Sequence, residues 1–111
     1  MPFTRHHAVW PRELPKSLAL PRTSVFTNLE ISARRYPDRN AIVFYDAPMT
    51  YSQLFREVEA MAGYLQAQGV AKGDRVLLYM QNSPQYVIAY YAILRADAVV
   101  IPINPMNRAA E

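Results

Sequence analysis

Two apolar runs, RVLLYM at 75–80 and AVVIPI at 98–103, flank a segment of helix length, and this arrangement limits the fold more than any other feature. Neither run alternates polar with apolar residues, which is the pattern of parallel strands covered on both faces. Parallel neighbours need a crossover of about a dozen residues, and PQYVIAYYAILR supplies it. Ser83 is placed to cap this helix and Pro84 to open it, since proline fits the first helical position. Val87, Tyr90, Tyr91 and Leu94 mark one face, while Tyr86, Ile88 and Ile93 spread apolar area around the rest. A helix apolar nearly all round expects cover on more than one side. Arg75 to Ile103 is therefore predicted to form a right-handed βαβ unit, and the fold class is α/β.

Upstream, MTYSQLFREVEAMAGYLQAQG carries the clearest helix signal. Thr50 and Gln53 stand in capping-box spacing, and Met49 and Leu54 fit a hydrophobic staple. Leu54, Val58, Met61, Ala62 and Leu65 make one apolar stripe, and Gly69 is placed to close the helix in the left-handed conformation. A further helix is predicted from Val25 to about Arg35, with Ser24 as cap, Phe26, Leu29 and Ala33 inward, and Pro37 beyond its end. AIVFY at 41–45 reads as one short strand, after which DAPM turns the chain. The architecture expected is thus a parallel βαβ unit, two further helices and a short strand. Residues 1–22 hold Pro2, Pro11, Pro15 and Pro21 and read as an extended arm, with Trp10, Leu14, Leu18 and Leu20 laid against a surface. Residues 23–111 form the folded part.

Composition narrows the function. The formal net charge of +3 comes from basic residues with no run that makes a stripe, so nucleic acid is not the expected partner. Without cysteine, disulfides and thiolate metal sites are excluded. MPFTRHHAVW lacks the apolar core of a secretory signal, and the longest apolar stretch is broken by Arg95 and Asp97. A cytoplasmic chain without an integral membrane segment is expected.

No active site can be assembled from these residues. Gly63, Gly69 and Gly73 build neither a dinucleotide fingerprint nor a phosphate loop, and no serine stands in a nucleophile elbow. Glu57 and Glu59 point apart on a helix and read as a solvated face. His6 and His7, neighbours whose side chains diverge, read as solvated rather than as metal ligands. Tyr86, Tyr90 and Tyr91 read as core rather than as a base-stacking platform. Asn82 lies past a strand's carboxyl end, where ligands often sit; we expect its side chain to hold the turn. Catalytic, cofactor-binding and metal-binding residues are all expected to be none.

Three segments together resemble the AMP-forming adenylating enzymes, the family of acyl-CoA synthetases, luciferases and peptide-synthetase adenylation domains. TYSQL at 50–54 is similar to that family's first core motif, with Gln53 where glutamate is usual. GVAKGDRVLLYMQNSPQYVIAYYAILRADAVVIPINP resembles the stretch through its second, with Asp97 where glycine is usual. RYPDRNAIVF resembles the family's opening segment, so the likeness covers about residues 24 to 111. The arm with Trp10 and the NPMNR ending look most like bacterial long-chain fatty-acyl-CoA ligases.

The resemblance implies a scaffold piece of a large N-terminal domain. It also implies a parent enzyme that uses ATP, Mg2+ and coenzyme A to make an acyl-adenylate and then an acyl-CoA. The matched motifs are structural ones, so the chain is expected to end before the site and to be inactive alone. Its expected partner is the remainder of the synthetase. The alternative is a stand-alone binding or self-associating module, a homodimer through uncovered apolar faces and open sheet edges.

Overall fold

The structure, a computed structural model, describes residues 3–110. A short 3-10 helix, Arg5–Val9, precedes α1 (Val25–Arg35), β1 (Asn40–Phe44), β2 (Ala47–Thr50), α2 (Tyr51–Ala67), β3 (Arg75–Tyr79), α3 (Pro84–Arg95) and β4 (Val99–Ile103). The strands β3 and β4 pair in parallel, Arg75 opposite Val99 through Tyr79 opposite Ile103, with α3 as the crossover. The predicted βαβ unit is present.

Local chemistry sets its boundaries. Ser83 Oγ accepts from the Tyr86 amide at 3.2 Å, and Pro84 opens α3 where its missing N–H costs nothing. At the far end the Ala98 amide bonds Ile93 O and the Asp97 amide bonds Leu94 O, the paired bonds of a Schellman ending. Asp97 takes the left-handed position, φ 60°. The end of α2 repeats the device: Val70 N bonds Leu65 O, Gly69 N bonds Gln66 O, and Gly69 has φ 98°. Both endings drop their next residue, Ala98 or Val70, into the same apolar cluster.

The start of α2 is equally determined. Thr50 Oγ1 accepts from the Gln53 amide at 3.2 Å while Gln53 Oε1 accepts from the Thr50 amide at 2.9 Å. The next two free amides are met by the loop after α1, Tyr51 N to Arg39 O and Ser52 N to Pro37 O, both 3.0 Å. A helix start needs these orphan donors satisfied, and here the chain supplies each one.

One strand expectation is corrected. DAPM does not merely turn the chain, because Ala47–Thr50 is itself β2, antiparallel to β1. The architecture therefore has a hairpin where one short strand is expected. Its two-residue loop is Tyr45 and Asp46, both left-handed at φ 48° and 62°, the sign pattern of a type I′ turn. Pro48 is tolerated because a two-stranded sheet is all edge. Ala41 is the extra residue of a bulge between the pairs Asn40–Thr50 and Ile42–Met49.

Two clusters make the interior. Phe26 and Leu29 of α1 meet Leu54, Val58 and Ala62 of α2 and Ala92 of α3. Leu78, Ile93 and Ala98 form the second, between α3 and the parallel sheet. Ala92 and Ile93, adjacent on α3, thus face different clusters, which is the cover on two sides that an all-round apolar helix demands. They, rather than Val87, Tyr90, Tyr91 and Leu94, are the buried positions of α3.

Two further expectations fail. Only one face of the parallel sheet is packed on helices; Leu77, Tyr79 and Val99 project from the other and stay about half exposed. Residues 104–109 reach over part of that face, with Tyr79 Oη donating to Pro105 O at 2.9 Å, but no described helix or strand covers it. The arm includes a 3-10 helix rather than being extended throughout. Its Leu14, Leu18 and Leu20 are exposed rather than laid against a surface of the described residues.

Candidate functional site

The carboxyl ends of β3 and β4 open into a cleft of about 530 Å³, where open α/β sheets commonly take ligands. The strand ends place Met80, Gln81 and Asn82 on one wall and Ile103 to Met106 on the other, with Tyr86 from the first turn of α3 between them. Its polar groups are Gln81, Asn82, Asn104 and the Tyr86 hydroxyl, and none of its lining residues is charged. Asn104 Oδ1 accepts from the Met106 amide at 2.9 Å and so shapes the loop.

Asn82 does not hold the turn. Its side chain makes no hydrogen bond among the described residues, and Ser83 does that work, donating to Gln81 O and accepting from Tyr86 N. The amide of Asn82 stands exposed at the cleft rim instead. Such an arrangement suits contact with neutral polar or apolar groups. It holds neither a nucleophile with a base nor an oxyanion-stabilising cation.

A nucleotide triphosphate with magnesium does not fit these residues, because its charge needs cationic partners and its metal needs carboxylates. The cleft provides neither, and no three His, Cys, Asp or Glu side chains converge among the described residues. His6 and His7 do not diverge as neighbours usually do. Their rings meet edge-on at 4.3 Å and both abut Trp10. His7 holds its proton less readily than an ordinary histidine, through desolvation first and then the charges of His6 and Lys16.

The paired glutamates separate in role. Glu59 is no simple solvated face, for its Oε1 accepts from Arg95 Nε at 2.8 Å and ties α2 to α3. That hydrogen bond, then the carboxylate's charge, raises the Arg95 pKa above its usual value. The same guanidinium lies over the Phe26 ring at 5.2 Å, so one side chain of α3 reaches both α1 and α2. Glu57 faces an apolar groove of about 480 Å³ between α2 and α3, beside Met61, Tyr64 and Ile88. The tyrosines Tyr86, Tyr90 and Tyr91 pack on one another and on the two clusters, which leaves no stacking platform. The structure thus ties Glu59 and the three tyrosines into the packed frame, leaves Asn82 at an uncharged cleft at the strand ends, and keeps His6 and His7 in the arm.

Comparisons with known proteins fit that frame. Residues 29–111 match the model of the family described as AMP-binding enzyme. The chain is similar to a long-chain-fatty-acid–CoA ligase of Bacillus subtilis, 38% identical over 99 residues, which cover 89% of this chain and 18% of that protein. It is also similar to a salicyl-AMP ligase / salicyl-S-ArCP synthetase of Mycobacterium tuberculosis, 39% identical over 90 residues, covering 77% of this chain and 16% of the relative. Among solved structures, the N-terminal subdomain of Klebsiella oxytoca NpsA superposes with a TM-score of 0.76 at 30% identity, over 78% of this chain and 23% of that one. The chain therefore spans under a quarter of the length of each of these three proteins. With a family match over residues 29–111 and the expected scaffold motifs in place, this chain belongs to the AMP-binding enzyme family.

Proposed function

We propose that these residues are the N-terminal scaffold of an ATP-dependent, AMP-forming fatty acid–CoA ligase. The observation that supports it is the 38% identity to the Bacillus long-chain-fatty-acid–CoA ligase across most of the chain. In the reaction proposed for the parent enzyme, a carboxylate oxygen attacks the α-phosphorus of ATP and the bond to pyrophosphate breaks. The coenzyme A sulfur then attacks the acyl carbon and AMP leaves. Magnesium and the residues that stabilise those charges belong, on this reading, to segments of the parent enzyme other than residues 1–111. What this chain contributes is a rigid parallel pair with its strand ends open to the rest of the enzyme, in the cytoplasm. On its own it neither binds ATP nor forms an adenylate.

Reading the coding frame past Glu111 tests the assignment. A frame that continues into a Ser/Thr/Gly-rich loop, and a product that exchanges pyrophosphate into ATP with long-chain fatty acids, is the expected result. A nearby stop codon, or exchange driven by salicylate and not by fatty acids, would overturn it.

One observation favours a second reading. The half-exposed face of Leu77, Tyr79 and Val99, together with the unpaired outer edges of β3 and β4, suits a homodimer of this chain. Sedimentation across a concentration series separates the two: a monomer at every concentration leaves the scaffold reading alone.

A further inference from the structure

Asparagine is a labile side chain, because the backbone nitrogen of the next residue can attack its carboxamide carbon. The attack needs an uncommitted N–H, a small neighbour and a side chain that nothing else holds. The chain has five asparagines, and the structure separates them. Asn28 sits inside α1 before the buried Leu29, where the backbone amides are committed to the helix. Asn40 is held in register with Thr50 at the start of β1. Asn104 precedes Pro105, which has no N–H, and its Oδ1 already accepts from the Met106 amide. Asn107 precedes Arg108, a bulky neighbour. Asn82 meets all three conditions. It is exposed, its side chain makes no hydrogen bond among the described residues, and its neighbour is Ser83. The Ser83 amide donates to no acceptor among the described residues either; only its hydroxyl is engaged, with Gln81 O and the Tyr86 amide.

We propose that Asn82 is a site of spontaneous deamidation, which converts the cleft at the strand ends from uncharged to anionic. The Ser83 nitrogen bonds to Asn82 Cγ, and the side-chain nitrogen leaves as ammonia with the Ser83 amide proton. A five-membered succinimide results. Water then opens it at either carbonyl, giving aspartate or, with one more methylene in the main chain, isoaspartate. Water is the only co-reactant, and nothing is oxidised or reduced. The new carboxylate stands just ahead of the first turn of α3, where a helix favours negative charge. No acidic residue lines the cleft to oppose it. The isoaspartate form also lengthens the backbone immediately before the Ser83 cap, and so loosens the entry to α3. The reaction is internal to this chain, so the inference does not rest on the ligase assignment.

Peptide mapping tests the proposal. The 111-residue chain is incubated in mildly alkaline buffer, folded and in urea, then digested with trypsin and weighed. Asn82 is the only asparagine in the tryptic peptide 76–95, so its exchange of ammonia for water is read separately from the others. In the folded chain this peptide should lose its original mass first, ahead of those holding Asn28, Asn40, Asn104 and Asn107. An isoaspartate methyltransferase with labelled S-adenosylmethionine should mark the same peptide. Asn82→Gln should abolish the change, because attack would then have to close a six-membered ring. Ser83→Thr keeps the capping hydroxyl but crowds the nitrogen, and should slow the reaction. A peptide holding any other asparagine that changes first would overturn the proposal. Reaction at Asn82 only in urea would also overturn it, since the fold would then be what protects the residue. So would a mass change in peptide 76–95 that persists in Asn82→Gln, which would move the reaction to Gln81 or Gln85.

Discussion

Asp97 and Gly69 occupy the same place in two helix endings, each in the left-handed region with the same pair of backbone bonds around it. Glycine adopts that conformation without strain, whereas a side chain costs on the order of 1 kcal/mol. Asp97→Gly should therefore stabilise the fold by about 0.5–1 kcal/mol, read as a higher urea midpoint at unchanged slope. Asp97→Val should lower the midpoint. An unchanged midpoint for both would mean that the turn bears no strain. This scale was largely legible in the sequence, since capping boxes, N1 proline and helix-ending residues act within about six positions. Tyr45 and Asp46 were not. They adopt the left-handed pair that hairpins usually assign to Asn-Gly, so β2 had no turn signal to announce it.

At the scale of elements, α2 is the organiser. Leu54 is only 3% exposed and shares its cluster with residues from α1 and α3. Leu54→Ala should cost about 3 kcal/mol, enough to unfold a large fraction of a small domain. Thermal melts followed by far-ultraviolet circular dichroism would show it, and a loss under about 1 kcal/mol would place the core elsewhere. The Arg95–Glu59 pair is a smaller contributor. Both side chains are well exposed, so solvent screening leaves it worth less than about 1 kcal/mol, and its role is to set how α2 meets α3. The stripe of α2 was readable because one face repeats at the helical period. In α3 every face is apolar, so periodicity could not choose Ala92 and Ile93 as the buried pair.

For the molecule as a whole, surface area is the informative quantity. The chain exposes 9098 Å², whereas a monomeric protein of 12.7 kDa exposes about 6,200 Å². Its radius of gyration of 18.2 Å exceeds the roughly 13 Å of a compact domain of this length. The surplus is the size of surface that stable partners bury, and it includes the arm and the uncovered sheet face. Continuous apolar strands foretold a layer on both sides of β3 and β4, whereas among the described residues helices cover one side only. Leu77→Lys should suppress any concentration-dependent association seen in sedimentation without lowering the melting temperature, because that side chain supports no described cluster. Association that persists in the variant would move the sticky surface away from the sheet.

Whether this scaffold carries chemistry of its own is decided by ATP–pyrophosphate exchange with the pure 111-residue chain, a long-chain fatty acid and magnesium. It should be run on a sample shown by a cooperative melt to be folded. No exchange above buffer is the predicted result, since the cleft at the strand ends holds no charged side chain. Exchange that depends on this chain would overturn the scaffold assignment and would make the uncharged cleft, or another surface of these residues, a catalytic site.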